Sequence, residues 1–227
     1  MATVQEHFST AEPANRAYAL YLRLRRAMVQ GELRPNQRLI EAELAEMLGV
    51  SRTPIREVLQ RLALDRLVSK HRRGWIVREH TAEEIKNIYA CRAALEGYAS
   101  RLAATAATEE QLAELDALLN SIHEIGNRDE MVDINERFHE AIIDAAGNEL
   151  LAELARRSRL YFFNRRVAKL YTDEEAMHSR SQHMRLTEAL HAHAPDLAET
   201  ITREHIETAL RGILSRPELL AQKPGFL

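Results

Sequence analysis

The scarcity of chain breakers constrains this sequence more than any other feature: eight glycines and six prolines punctuate 227 residues. With so few turn-formers, most backbone hydrogen bonds must be made inside helices. Three patterns mark where helices begin. Thr81-x-x-Glu84, Thr108-x-x-Gln111 and Thr172-x-x-Glu175 each pair a hydroxyl with a carboxylate or amide three residues on. Such a pair serves the first, otherwise unpartnered N–H groups of a helix. From residue 81 onward the pattern predicts six helices, over 82–105, 109–127, 130–146, 149–168, 175–194 and 196–214. Their short connections make neighbours antiparallel, so the rear of the chain is expected to be an antiparallel all-α helical bundle.

The front of the chain is punctuated differently. Helices are predicted over 15–30, ended by Gly31; over 41–48, closed by Gly49; and over 52–65, capped by Ser51 with Pro54 in the first turn. Two strand-like pieces follow, 68–71 and 75–78, with Arg72-Arg73-Gly74 as the turn between them. Helix, glycine-containing turn, helix and small β-hairpin is the order of a winged helix-turn-helix. The fold expected is thus mainly α. Its divisions are a flexible tail over 1–14, a DNA-binding domain over 15–80, an all-helical domain over 81–216 and a tail over 217–227.

Charge separates the same two parts. Residues 1–80 carry 14 Lys and Arg against 9 Asp and Glu, a net +5, whereas the remainder carries a net −8. A basic front suits a polyanion. On the helix 52–65, Ile55, Val58, Leu59 and Leu62 share one face and must be buried. Thr53, Arg56 and Gln60 lie on the opposite face, with Arg52 at its margin. Arg52 and Arg56, four apart, project together from the N-terminal end, which is the end that enters a major groove, where arginine pairs with guanine. Lys70, His71, Arg72 and Arg73 cluster on the hairpin and suit phosphate or minor-groove contact.

Other features set the surroundings. Cys91 is the sole cysteine, so no intrachain disulfide can form. No run of about 18 apolar residues exists to span a membrane, and residues 1–14 lack an apolar signal core. The expectation is a cytoplasmic protein without membrane contact.

In the rear domain, Arg92 shares a helix face with Ile88, Leu95 and Ala99. A charge there needs a partner: either an internal glutamate or the carboxylate of a ligand. Three of the ten histidines, His139, His183 and His205, stand near apolar faces of three different helices. That placement fits core or surface histidines, and it also fits a metal site, since neutral imidazole ligates zinc, nickel and similar ions.

Leu39-x-Glu41-x-x-Leu44-Ala45-x-x-Leu48-Gly49-Val50-Ser51-Arg52-Thr53-Pro54-Ile55-Arg56-Glu57-Val58-Leu59-x-Arg61-Leu62, with Gly31-x-Leu33-x-Pro35 before it and Gly74-Trp75-x-Val77 after it, resembles the GntR family of bacterial regulators. The resemblance implies that Arg52, Arg56 and the wing around Gly74 contact operator DNA. Ala42 departs from the base-reading arginine that several members carry there. Arg92-x-x-Leu95-Glu96, Asn135-x-x-Phe138-His139-x-x-Ile142, Gly147-Asn148-x-x-Leu151, Gln182-His183 and Glu204-His205 are similar to the FCD effector domain of the FadR subgroup, in its short, six-helix branch. Many members hold a divalent metal through an Asp-x-x-x-His pair and two later histidines, with small organic acids bound beside it. Carried over, the ligands are Asn135, His139, His183 and His205, the metal is zinc or nickel, and Arg92 anchors an effector carboxylate. Asn135 departs from the commoner aspartate and offers a neutral amide oxygen.

The function this implies is a homodimeric transcription regulator, a repressor on a palindromic double-stranded operator, controlled by a small carboxylate effector bound near the metal. A regulator answering the metal itself is the second reading. A metal-dependent hydrolase, with Glu136 or Glu140 as base, is a third. No catalytic motif places either glutamate, and the chain is expected not to be an enzyme.

Overall fold

The computed structural model describes residues 13–29, 32–72, 74–124, 128–159 and 171–216. The chain divides into two compact units, Met1–Glu79 and His80–Leu227.

The first unit runs α1 (Pro13–Val29), β1 (Arg38–Leu39), α2 (Glu41–Leu48), α3 (Arg52–Leu64), β2 (Val68–His71) and β3 (Gly74–Val77). Helix α1 begins two residues before the expected start, and Gly31, the expected stop, lies outside the described residues. Gly49 closes α2 in the left-handed region (φ 65°), and its N–H bonds back to the helix carbonyls. Ile55, Val58, Leu59 and Leu62 are all buried, as are Leu20, Leu24 and Met28 of α1, the helix that packs on α3. Arg61 of α3 lies over the Tyr21 ring, 4.5 Å from its centre, and the Tyr21 hydroxyl donates to Asp65 at 2.8 Å.

Two expectations for this unit need correction. The sheet has three strands in the order β1-β3-β2, all antiparallel, where a two-stranded hairpin was expected. The extra strand, β1, pairs Arg38 with Ile76 and Leu39 with Trp75. Ser51 occupies the N-cap position of α3 with extended backbone, but its side chain makes no capping hydrogen bond.

The second unit contains six helices among the described residues: α4 (Ala82–Ala106), α5 (Glu109–Glu124), α6 (Arg128–Ala145), α7 (Glu149–Arg159), α8 (Asp173–His191) and α9 (Pro195–Leu214). The later part of the helix expected over 149–168 falls outside the described residues. All three reciprocal caps form: Thr81 with Glu84, Thr108 with Gln111, and Thr172 with Glu175. Helix α4 is the axis of the bundle and packs along α9 while also touching α6, α7 and α8. Phe138, Ile142, Leu186, Leu190 and Ile201 fill the space between α6, α8 and α9, whereas Ile85, Tyr89, Ile206 and Ile213 join α4 to α9. Among the described residues no helix is long and apolar enough to cross a membrane.

Candidate metal centre and nucleic-acid interface

Burial of one face of α3 turns the other outward, and Arg52, Thr53, Arg56 and Gln60 are all exposed. Arg56 is not loose. Its Nε donates to both oxygens of Glu41, at 3.3 and 3.0 Å, and its Nη2 donates to Oε2 at 2.9 Å. Glu41, in the first turn of α2, also accepts a 3.3 Å hydrogen bond from the Trp75 indole of β3. The Arg56 hydrogen bond holds the Glu41 carboxyl below its ordinary pKa.

In the wing, Lys70, His71 and Arg72 are exposed, and Arg72 adopts a positive φ of 49°. Arg73 lies outside the described residues. Gly74 has a packing reason to be glycine, because a Cβ there would stand 3.0 Å from the Leu39 carbonyl oxygen. The bare Cα lets β1 lie close to β3, where Leu39 pairs with Trp75.

In the second unit, α6, α8 and α9 bring His139, His183 and His205 together, with one ligand-capable atom from each lying within 4.8 Å of the others. The ring centres are 5.1 Å apart for His139–His183 and for His139–His205, and 4.6 Å apart for His183–His205. Ligand nitrogens around a zinc ion, with bonds of about 2.0–2.1 Å, stand roughly 3.4 Å apart, so the ligand atoms need close by at most about 1.4 Å. Asn135 is partly buried one helical turn before His139 on α6.

Three observations fit the cluster to a metal. The Nε2 of His183 is buried without a hydrogen-bond partner, an arrangement native interiors avoid unless something else satisfies the atom. His205 Nδ1 lies 3.0 Å from Gln182 Oε1. An amide oxygen there must receive a proton, which assigns Nδ1–H to His205 and leaves Nε2 as the lone-pair donor. All three imidazoles are kept neutral. Burial lowers the pKa of His139 and His183 well below 6.5, and burial followed by the Arg92 charge lowers His205 to about 4.

Beside the histidines lies a buried ion cluster. Arg92 Nε donates to Glu96 Oε1 at 2.7 Å, and Arg159 Nη1 donates to Glu96 Oε2 at 2.6 Å. Of the two partners open to Arg92 in the sequence, the glutamate is present. Burial opposes the Glu96 charge, but Arg159 and Arg92 outweigh it and keep the carboxyl below its ordinary pKa. Among the described residues, the two guanidiniums share this one buried carboxylate. Sequence reasoning gave no role to Arg159, none to Gln182 beyond its place in the motif, and did not find the pairing of Glu41 with Arg56. Glu140, one of the two bases open to a hydrolase, is held by Arg156 at 2.7 Å.

With this geometry in hand, comparison with known proteins gives a consistent result. Residues 16–77 match the model of the bacterial regulatory proteins of the gntR family, and residues 87–208 match that of the FCD domain. The Nta operon transcriptional regulator of Aminobacter aminovorans is 32% identical over 189 residues, 82% of this chain and 89% of that protein. The transcriptional repressor GlaR of Escherichia coli is 26% identical over 205 residues, 84% of this chain and 92% of that protein. The solved structure of McbR/YncC from E. coli superposes with a TM-score of 0.73 at 25% identity, over 84% of this chain and 93% of that one.

Proposed function

The chain belongs to the GntR family of bacterial transcription regulators and carries an FCD domain, and from that premise we propose that a small carboxylate, bound beside a divalent metal ion in the second unit, controls how tightly the first unit holds its operator. Its relatives are regulators and not enzymes, a GntR helix-turn-helix implies DNA binding, and an FCD domain implies an effector ligand. The finer reading assigns DNA recognition to residues 15–80 and sensing with dimerisation to residues 81–216.

The observation that carries the proposal is the group of three neutral imidazoles with His183 Nε2 otherwise unsatisfied. His139, His183 and His205 would hold the ion, zinc or nickel, with Asn135 as a fourth, neutral donor. The ion would supply a Lewis-acidic point for a carboxylate oxygen. Gln182 keeps the His205 ring in one orientation. The buried guanidiniums of Arg92 and Arg159 beside the histidines suit a carboxylate better than a neutral molecule. Occupancy tightens the bundle and alters the operator-bound state by the effector's differential affinity for the two arrangements.

In the first unit, Arg52, Thr53, Arg56 and Gln60 read base edges, and Arg72, Arg73 and the backbone at Gly74 meet the sugar-phosphate backbone. A homodimer on a palindrome doubles these contacts. The sign of regulation is repression, as in the relatives whose names describe repressors.

Elemental analysis of protein purified without an affinity tag and dialysed against zinc and nickel tests the site. The result expected is about one ion per chain, lost in His183→Ala. Wild-type protein without metal after both dialyses contradicts the proposal.

A further inference from the structure

We infer that Glu41 is a positioning residue for DNA reading: by holding one edge of the Arg56 guanidinium, it presents the other edge as a preformed fork for a guanine. The inference rests on the reading of Arg56 as a base-contacting residue.

The geometry divides the five N–H groups of Arg56 cleanly. Glu41 accepts from Nε and Nη2, which is the side edge of the guanidinium. Three N–H groups remain, two on Nη1 and one on Nη2, and two of these, one from each nitrogen, form the parallel end-on fork. That fork is the edge that matches the O6 and N7 acceptors of guanine. The Arg56 side chain stays 57% exposed in this grip, so the pair orients the group without hiding it. A free arginine must give up several rotamers to make a bidentate contact, and a buttressed one has given them up already.

Glu41 is itself fixed. It sits in the first turn of α2, where the helix dipole favours a carboxylate, and it accepts the Trp75 indole N–H. One carboxylate thereby ties α2, the recognition helix α3 and wing strand β3 into one unit.

The inference predicts an effect opposite to simple electrostatics. Removing a negative charge from a DNA-facing surface should tighten binding to any duplex. Loss of a buttress should instead weaken binding to the preferred sequence and spare the rest. The probe is a duplex that the wild-type full chain selects from a randomised pool, compared with a scrambled duplex of equal length at one salt concentration. Glu41→Ala should bind the selected duplex about tenfold more weakly, the low end of what a bidentate contact discriminates. Binding to the scrambled duplex should be unchanged or tighter. In an Arg56→Ala background, adding Glu41→Ala should cause no further loss on the selected duplex. Glu41→Gln, which keeps one acceptor oxygen, should fall between wild type and Glu41→Ala. Equal or tighter binding of Glu41→Ala to the selected duplex overturns the inference. So does an equal loss on both duplexes or in the Arg56→Ala background, because a merely structural role gives that result. If the wild-type chain selects no sequence at all, the base-reading role of Arg56 falls, and the role of Glu41 falls with it.

Discussion

Glu96 is buried between Arg92 and Arg159, and removing its charge would take a shared carboxylate from both guanidiniums. Breaking a buried ion pair from one side destabilises by about 3–5 kcal/mol, because the partner's desolvation is no longer compensated. Glu96→Gln should therefore lower the urea-unfolding free energy of the full chain by about that amount, while Glu83→Gln on the exposed face of the same helix should change it by less than about 0.5 kcal/mol. Equal, small effects from the two variants would remove the ion cluster from the account. The histidines add a pH dependence with a definite sign. His139, His183 and His205 are held neutral when folded but bind protons near pH 6.5 when unfolded. Between about 6.5 and the folded value, about 4 for His205, the unfolded state binds more protons, so stability is complete above pH 6.5 and is lost as pH falls through that window. Glu96 contributes in the other range: its folded pKa lies below 4.5, so its share is lost only under more acid conditions. Thermal melting of metal-free protein should show Tm falling from pH 7 to pH 5, and more steeply for wild type than for His205→Gln. A Tm independent of pH in that range would mean the imidazoles are solvated. At this scale the sequence was partly legible. Arg92 and Glu96 are one helical turn apart, so a glutamate partner was visible. Arg159 was not, because it ends a run with Arg156 and Arg157 that reads as solvated charge. Gln182 stood beside His183 but faces His205, and only the packing of α8 on α9 reveals that.

The elements depend on caps and on one tight strand contact. Thr81 accepts from the Glu84 N–H, and the Glu84 carboxylate accepts from the Thr81 N–H, at the start of the helix that packs on α6, α7, α8 and α9. Thr81→Ala should destabilise the protein by about 1 kcal/mol, the usual loss at an N-cap, measured by urea unfolding. A change within error would mean that bundle packing fixes the helix start without the cap. Gly74→Ala should act on the wing instead. Its new Cβ would press on the Leu39 carbonyl oxygen, so DNA binding should weaken while metal content stays unchanged. Loss of metal in that variant would contradict the separate roles given to the two units. The helices were readable because capping pairs and apolar spacing are local signals. The strand β1 was not. Its two residues follow a turn-like stretch, and their partners are 36 and 38 residues away, so nothing near Arg38 and Leu39 announces the pairing. Ser51 misled in the opposite way: the residue type is right for a cap, but the side chain makes no capping bond.

At the scale of the molecule, the proposed DNA reader and the proposed sensor occupy different units, so their roles separate experimentally. Light scattering at micromolar concentration should give about twice 26.0 kDa. A monomer that binds a palindrome tightly would remove dimerisation from the rear domain. What the sequence could tell at this scale was the two-part order and, through the resemblance, that His139, His183 and His205 belong together; the spacing of their rings needed the bundle. The most direct test titrates the selected duplex with metal-loaded wild type and His183→Ala, each with and without a panel of small mono-, di- and tricarboxylates. The account predicts that at least one carboxylate shifts the wild-type Kd several-fold, and that the shift disappears in His183→Ala while its Kd without carboxylate stays near the wild-type value. A carboxylate response that persists undiminished in His183→Ala would contradict it.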